Sequence, residues 1–533
     1  HPAIPNDPGA ATSFGGTASL PYHATSSTIY DASVIANGNV DTTSNTFNVY
    51  NGHGKARNGL LITTGTVKST TDTFNALGNG TNGVNITSAG GSIITDRSDF
   101  NVSGPTSNGI YSKGDVTTDR GKFTISGASS NGIVMDDSKN LISNGTVFEI
   151  NSSSSNGINN LAGTKVSTAL GTGSTRTTFT IADGVNNSNG IYSKNGDVEV
   201  SHSDFTTGNG QYNNGIFADA GSSSAKAEDS TFDINGNNSH GIYLKEGSLN
   251  TARNVFKVNN SLSNNGIYVD SASTGGVEDN GSTFYVNGGG NGIFANQNGK
   301  LSLTNTSFYV KDSGNGVIAF STVTPLSITG GTWQANDNSN GLYLTEGTTV
   351  NSITRGHYIA NDNGIGILVG DDTASGAATI TNMDGTSFTV NTDSSTDGYG
   401  TGIFLRNGDI TAKGITMTGT DKEIFVTVNT NRANTFTINK TSTINAFGND
   451  NVVFNLQNGT TADATTVKIT TADSGPDITI VAPNSNPRTK YNNNTVYKVN
   501  TFINDIELVN GDASTATAVG NDNSSIATAT GVG

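Results

Sequence analysis

The sequence predicts an all-β fold, a right-handed three-stranded parallel β-helix (a solenoid) of about 18–19 rungs of ~25 residues each. Two interleaved markers and an unusual composition lead to it. The first marker is an apolar residue after a short polar-Gly step, as in SNGIYSKGD at 107–115 and SNGIYSKNGD at 188–197. It runs from Leu60 through Ile110, Ile191, Ile242 and Ile293 to Ile403. The second is an aromatic in the pattern F-x-[VI], running from Phe47 through Phe123, Phe205 and Phe284 to Trp333, Tyr358 and Phe388. The two series alternate without a miss, which disorder does not require.

Each rung is read as three short strands. In residues 239–263 these are GIYLK, SLNTA and VFKVN, separated by Gly, Asn and Ser turn formers. Each strand pairs with its equivalent one rung away, about 4.8 Å off. Alternation points the aromatic and the β-branched residue of F-x-[VI] inward. It also points the Ile of G-I-Y-x-K and the residue two further on inward, leaving Tyr and Lys outside. Hydrophobic residues make up only 32 % of the chain, enough for a thin repeating core. NGI and NGT strings are read as turn chemistry.

Composition removes several function classes. A net charge of −16 leaves no Lys/Arg stripe to neutralise phosphates, so nucleic acid is not an expected partner. The absence of Cys removes a disulfide framework and Cys-ligated metals. No apolar run is long enough for a membrane-spanning helix. Neither a cofactor nor a metal is expected.

The copies FEIN at 148–151, FDIN at 232–235, FKVN at 256–259, FYVN at 284–287, FTVN at 388–391 and FTIN at 436–439 resemble polymorphic-membrane-protein repeats. Those repeats alternate with a Gly-Gly-apolar motif, where this chain has Asn-Gly-Ile. They occur in autotransporter passenger domains, and the Asn/Thr/Gly-rich, Cys-free, acidic character is similar to AIDA-type adhesins. The resemblance covers residues 40–440. It implies a bacterial cell-surface protein that adheres to host surface molecules, with glycosaminoglycans and fibronectin as ligands. It also implies that membrane contact is made only through a C-terminal translocator barrel, which this sequence does not include.

Two outward columns are the candidate surface. The first carries Tyr111, Tyr192, Tyr243 and Tyr268, and an exposed aromatic stripe marks an interaction surface. The second carries Lys113, Asp136, Lys194, Asp219, Lys245, Asp270, Asn296 and Arg406, with Arg120 and Arg253 one strand on. As a groove, its cations would meet sulfate or carboxylate groups while its carboxylates accept sugar hydroxyls. Two plainer readings stand beside this: the in/out phase is reversed or loops cover the stripe, and the alternating signs are simply the stable stack.

An enzyme reading needs paired carboxylates about 5–9 Å apart. Asp136–Asp137 and Asp371–Asp372 are adjacent pairs, but His53 lies far N-terminal to both, so no catalysis is expected. Self-association, driving cell aggregation and biofilm, is the competing binding mode. The expected organisation is an N-terminal cap at 1–35, regular repeats at 36–440, irregular rungs and a cap at 441–511, and a linker at 512–533.

Overall fold

The computed structural model describes residues 34–50, 57–219, 224–260, 263–270, 275–296, 300–320, 326–391, 400–419 and most of 423–446. The expected N-terminal cap, apart from residues 34–35, the C-terminal cap and the linker lie outside these residues. Contacts divide the chain into two units, residues 1–257 with 264–268, and residues 258–263 with 269–533. Both are parallel β-solenoids.

In the first unit one rung consists of strands Asn108–Ser112, Asp115–Asp119 and Lys122–Ile125. Each pairs in parallel with its counterpart in the next rung, so that Ile110 lies beside Ile133, Val116 beside Leu141 and Phe123 beside Phe148. In three rungs the first and second strands run on as single strands, Asn58–Thr70, Asn214–Glu228 and His240–Ala252. The period is close to 26 residues. About 14 turns carry the aromatic, and Met417 and Ile444 continue its column in the second unit. The remaining rungs of the expectation fall outside the described residues.

The predicted in/out phase is the one the structure has. Ile110, Ile133, Ile158, Ile191 and Ile242 are fully buried, and so are Ser112, Met135, Asn160 and Leu244 two residues on. In the first unit, Phe47 to Phe256 form a column of nearly parallel rings at centroid spacings of 4.5–5.0 Å. In the second, Phe284, Phe308, Trp333, Tyr358 and Phe388 stack at 4.4–5.4 Å. The rings take the spacing of the backbone ladder, so one hydrogen-bonded register serves sheet and core together.

Two of the rung's three corners have a fixed left-handed residue. Arg97, Arg120, His202, Asp229 and Arg253 (φ 47–55°) turn the chain from the second strand into the third. Thr106, Ser129, Ser154, Asn187, Tyr212 and Asn238 (φ 49–59°) turn it from the third strand towards the next rung's first. Just inside the latter corner lies a buried polar column. The Ser107, Ser130 and Ser155 N–H groups donate to the side-chain oxygens of Ser130, Ser155 and Ser188 at 3.0–3.2 Å, which satisfies a backbone that the turn would leave unpaired.

Phe205→Ala removes one ring between Phe179 (4.7 Å) and Phe232 (4.9 Å), which leaves a cavity that the flanking rungs cannot close without breaking register. The expected cost is about 3–5 kcal/mol. Hydrogen exchange should show lost protection concentrated in the adjacent rungs, as nearest-neighbour stacking requires.

Candidate functional site

The Asn-Gly step is strand, not turn, which corrects the reading of NGI as turn chemistry. Asn58, Asn82, Asn108, Asn131, Asn156, Asn189 and Asn214 stand at one register position. From Asn82 on, each Nδ2 donates to the Oδ1 of the previous rung at 2.9–3.0 Å. Asn315 and Asn340 continue the pattern in the second unit, on Asn291 and Asn315. The following glycine is required by close approach: a Cβ on Gly190 would lie 2.6 Å from the Gly215 carbonyl oxygen and 3.0 Å from the Phe205 ring. An isolated NG dipeptide is a turn signal. Stacked every 26 residues, the same pair is an amide ladder, a meaning visible only once copies are placed on one another.

The outward aromatics follow the ladder by three residues. Tyr111, Tyr192, Phe217, Tyr243 and Tyr268 are half-buried, and from Tyr192 to Tyr268 each ring lies against the ring of the neighbouring rung, whereas Tyr111 stands beside Asn85 and Val134. Centroids are 5.2 Å apart for Tyr192–Phe217, 4.5 Å for Phe217–Tyr243 and 5.0 Å for Tyr243–Tyr268. Four rungs thus present a continuous ring surface. The insertion after residue 169 does not cover it. Its short 3-10 turn, Thr172–Ser174, is tied to Asp119, with the Thr172 N–H 3.0 Å from Oδ1, at the corner that ends the second strand.

The second column does less pairing along itself than its alternating signs suggest. Lys245 reaches Asp219 at 3.4 Å. Asp136 and Asp219 instead accept hydrogen bonds from the Tyr111 and Tyr192 hydroxyls of the preceding rung, the latter at 2.8 Å. Burial, reinforced by these carboxylates, pushes both phenols up to about 12. Lys113 and Lys194 are exposed, and neither has a carboxylate within ion-pair distance among the described residues. They stand three rungs apart, about 14 Å by ladder spacing.

Arg120 and Arg253 do not extend this column. Both occupy the left-handed corner after the second strand, where carboxylates compensate them. Arg120 bonds Asp96 at 2.8 Å and Asp119 at 3.2 Å, and Arg253 bonds Asp229 at 2.9 Å with Glu228 at 3.6 Å. Asp270, Asn296 and Arg406 belong to the second unit. There Arg406 donates to the Tyr343 hydroxyl at 2.6 Å and to the Gly370 carbonyl at 3.1 Å, its guanidinium lying 5.5 Å from the Tyr343 ring centre. The acid pairs are engaged structurally. Asp137 accepts the Ser138 N–H at 2.7 Å, and Asp372 pairs with Arg432 at 3.3 Å. Burial works to raise the Asp371 pKa, but hydrogen bonds from Thr345 and Thr373 outweigh it and lower it. His53 lies outside the described residues.

One feature was not anticipated from the sequence. At 240 the amide ladder holds a histidine, 9 % exposed. Asn265 Nδ2 lies 3.1 Å from its Nδ1, and an amide NH₂ can only donate, so Nδ1 accepts and the proton sits on Nε2. The imidazole stacks on Tyr268 at 4.9 Å and leans on Tyr243 at 5.6 Å. Burial lowers its pKa to about 3, against a small opposing pull from the Ser239 carbonyl. Only the break in the first unit's otherwise repeating Asn series could have flagged it.

No known family profile matches the chain, and no curated protein does. Among solved structures, a chain of the Vag8–C1 inhibitor complex aligns with 89 % of this chain and 100 % of its own length, at 10 % identity and TM-score 0.31. PfbA, a surface adhesin of Streptococcus pneumoniae, aligns with 89 % of this chain and 91 % of its own, at 9 % identity and TM-score 0.24. At these scores neither likeness transfers a ligand or a residue role.

A histidine held neutral in the fold makes stability depend on pH. Between about pH 6.5 and 3 the unfolded chain binds a proton that the folded chain refuses, so stability falls as pH falls through that window. His240→Asn removes this component while the carboxylates common to both proteins cancel in the comparison. Denaturation at pH 7 and pH 4 should show the variant gaining on the parent by up to about 1.4 kcal/mol per pH unit.

Proposed function

We propose that the chain is the ligand-binding solenoid of a bacterial cell-surface adhesin, without catalysis. An extended anionic polysaccharide of the glycosaminoglycan class would lie across the first unit's Tyr/Lys/Asp face. The observation that carries this reading is the continuous ring surface Tyr192–Phe217–Tyr243–Tyr268 with the uncompensated Lys194 beside it and Lys113 further along the same column. Rings offer apolar faces to sugar rings, and free ammonium groups offer charge to sulfate or carboxylate. Lys245, held by Asp219, contributes less. Asp136 and Asp219 are already hydrogen-bonded to tyrosines, so their part is to fix the phenols rather than to grip sugar hydroxyls. The overall charge of −16 opposes a polyanion only weakly at physiological salt, where charges beyond roughly 8 Å are screened. The engagement of Asp137, Asp371 and Asp372 in local structure supports a non-catalytic role. The repeats' resemblance to passenger domains supports display at the cell surface.

Lys113→Ala/Lys194→Ala should weaken binding to immobilised heparin and chondroitin sulfate by about tenfold or more, and remaining binding should depend less on salt. Fibronectin and a second copy of the chain enter the same measurement as competing partners. Heparin binding untouched by the double variant, or binding to fibronectin alone, would contradict the proposal.

A further inference from the structure

Two register columns of the first unit are each broken once near the same place. The corner column that reads Thr106, Ser129, Ser154, Asn187 and Asn238 holds an aromatic at Tyr212, with φ of 59°. Left-handed backbone is tolerated by Asn and, less readily, by Ser or Thr, and it is a strained choice for a bulky ring. The amide column that reads Asn from 58 to 214 holds His240 in the next rung. Both departures line one hollow of about 280 Å³, together with Asn187, Asn189, Asn214, Phe217, Asn238 and Tyr243.

The chemistry of this hollow is uniform. It has no charged side chain, since His240 is neutral at physiological pH. Tyr212 is 54 % exposed, the most exposed large hydrophobic or aromatic side chain among the described residues. Neither its ring nor its hydroxyl has a partner there. Asn214 is only 7 % exposed, and its Nδ2 is held by Asn189 Oδ1 at 3.0 Å. Its Oδ1, which the ladder would normally satisfy from the next rung, has no partner because that rung supplies an imidazole instead of an amide. Among the described residues the His240 Nε2–H makes no hydrogen bond of good geometry. An unpaired buried acceptor costs on the order of 1–3 kcal/mol. An asparagine at 240 would repair it at no steric expense, as it does in the rungs below.

We propose that this hollow is a binding site for a single neutral pyranose, such as the terminal residue of an uncharged host glycan. A sugar hydroxyl both donates and accepts, so one hydroxyl can donate to Asn214 Oδ1 while accepting from His240 Nε2–H. The ring's apolar face packs on Tyr212, and the Asn187, Asn189 and Asn238 amides address the remaining hydroxyls. An anionic sugar is disfavoured, because the hollow holds no cation to offset the desolvation of its charge. The volume lies just below the roughly 300–1,000 Å³ of pockets that hold drug-sized molecules, as suits a ligand of one ring. This site shares Phe217 and Tyr243 with the polyanion face but needs none of its lysines, so either proposal can fail alone.

The test is calorimetric or ligand-observed NMR titration of the purified chain with methyl glycosides of glucose, galactose, mannose and N-acetylglucosamine, with a sulfated heparin disaccharide as the charged comparison. At least one neutral glycoside should bind saturably, with Kd on the order of 1 mM or tighter. Tyr212→Ala and His240→Asn should each weaken that binding about tenfold or more. His240→Asn should melt no lower than the parent, because it completes the ladder, which separates a lost ligand contact from a lost fold. Lys113→Ala/Lys194→Ala should bind the glycoside unchanged. No saturable binding of any neutral glycoside up to about 50 mM, binding that survives either pocket variant, or binding of the heparin disaccharide alone would overturn the proposal.

Discussion

In a parallel solenoid every side chain lies against its own counterpart one turn away, about 4.8 Å distant, and a residue is admissible only if it tolerates a copy of itself at that spacing. Flat rings satisfy this, and the Phe47–Phe256 column sits at 4.5–5.0 Å. Primary amides satisfy it too, since each is donor and acceptor at once and can pass a hydrogen bond on indefinitely. Small hydroxyls do so inside the corner. Glycine is forced where the next backbone comes closest, as at Gly190 against the Gly215 carbonyl. Charged side chains tolerate it worst, which accounts for a chain of 533 residues with only 13 % charged.

The same constraint separates structural from functional residues. A residue that continues its column is accounted for by stacking. One that interrupts its column gives up a hydrogen bond or a favourable backbone conformation, and local rules are most often broken where a site is built. His240 gives up an amide bond to Asn214, and Tyr212 occupies a conformation that its column otherwise fills with small or amide side chains. By contrast, the Tyr111–Asp136 and Tyr192–Asp219 pairs use charge to hold the outward rings in place, and Arg120 and Arg253 sit in carboxylate clusters at a corner. Lys113 and Lys194 are the cations of the outward column left to act on something else.

The repeat and its inward face were legible in the sequence because the aromatic and aliphatic markers are themselves the stacked core. The strand phase followed from alternation alone, and Ile110 and Tyr111 lie on the sides it assigned. The meaning of Asn-Gly was not legible, because a turn signal and a ladder rung look identical until the register is known. Nor was the distribution of charge. A column written Lys, Asp, Leu, Lys, Asp reads as alternating ion pairs, yet the carboxylates turn to tyrosines two residues back in the preceding rung. Tyr212 belongs to neither marker, and only the corner geometry gives its position a column to depart from.

Sugar binding in the hollow requires His240 to be a neutral imidazole that accepts from Asn265 through Nδ1 and keeps Nε2–H for a ligand. Two-bond ¹H–¹⁵N correlation spectra of the histidine ring report this directly. At pH 7 they should show the Nε2–H tautomer, with the Nε2 resonance moving as a neutral methyl glycoside is added and staying still with a heparin disaccharide. A protonated ring, an Nδ1–H tautomer, or an Nε2 resonance indifferent to every neutral glycoside would contradict it.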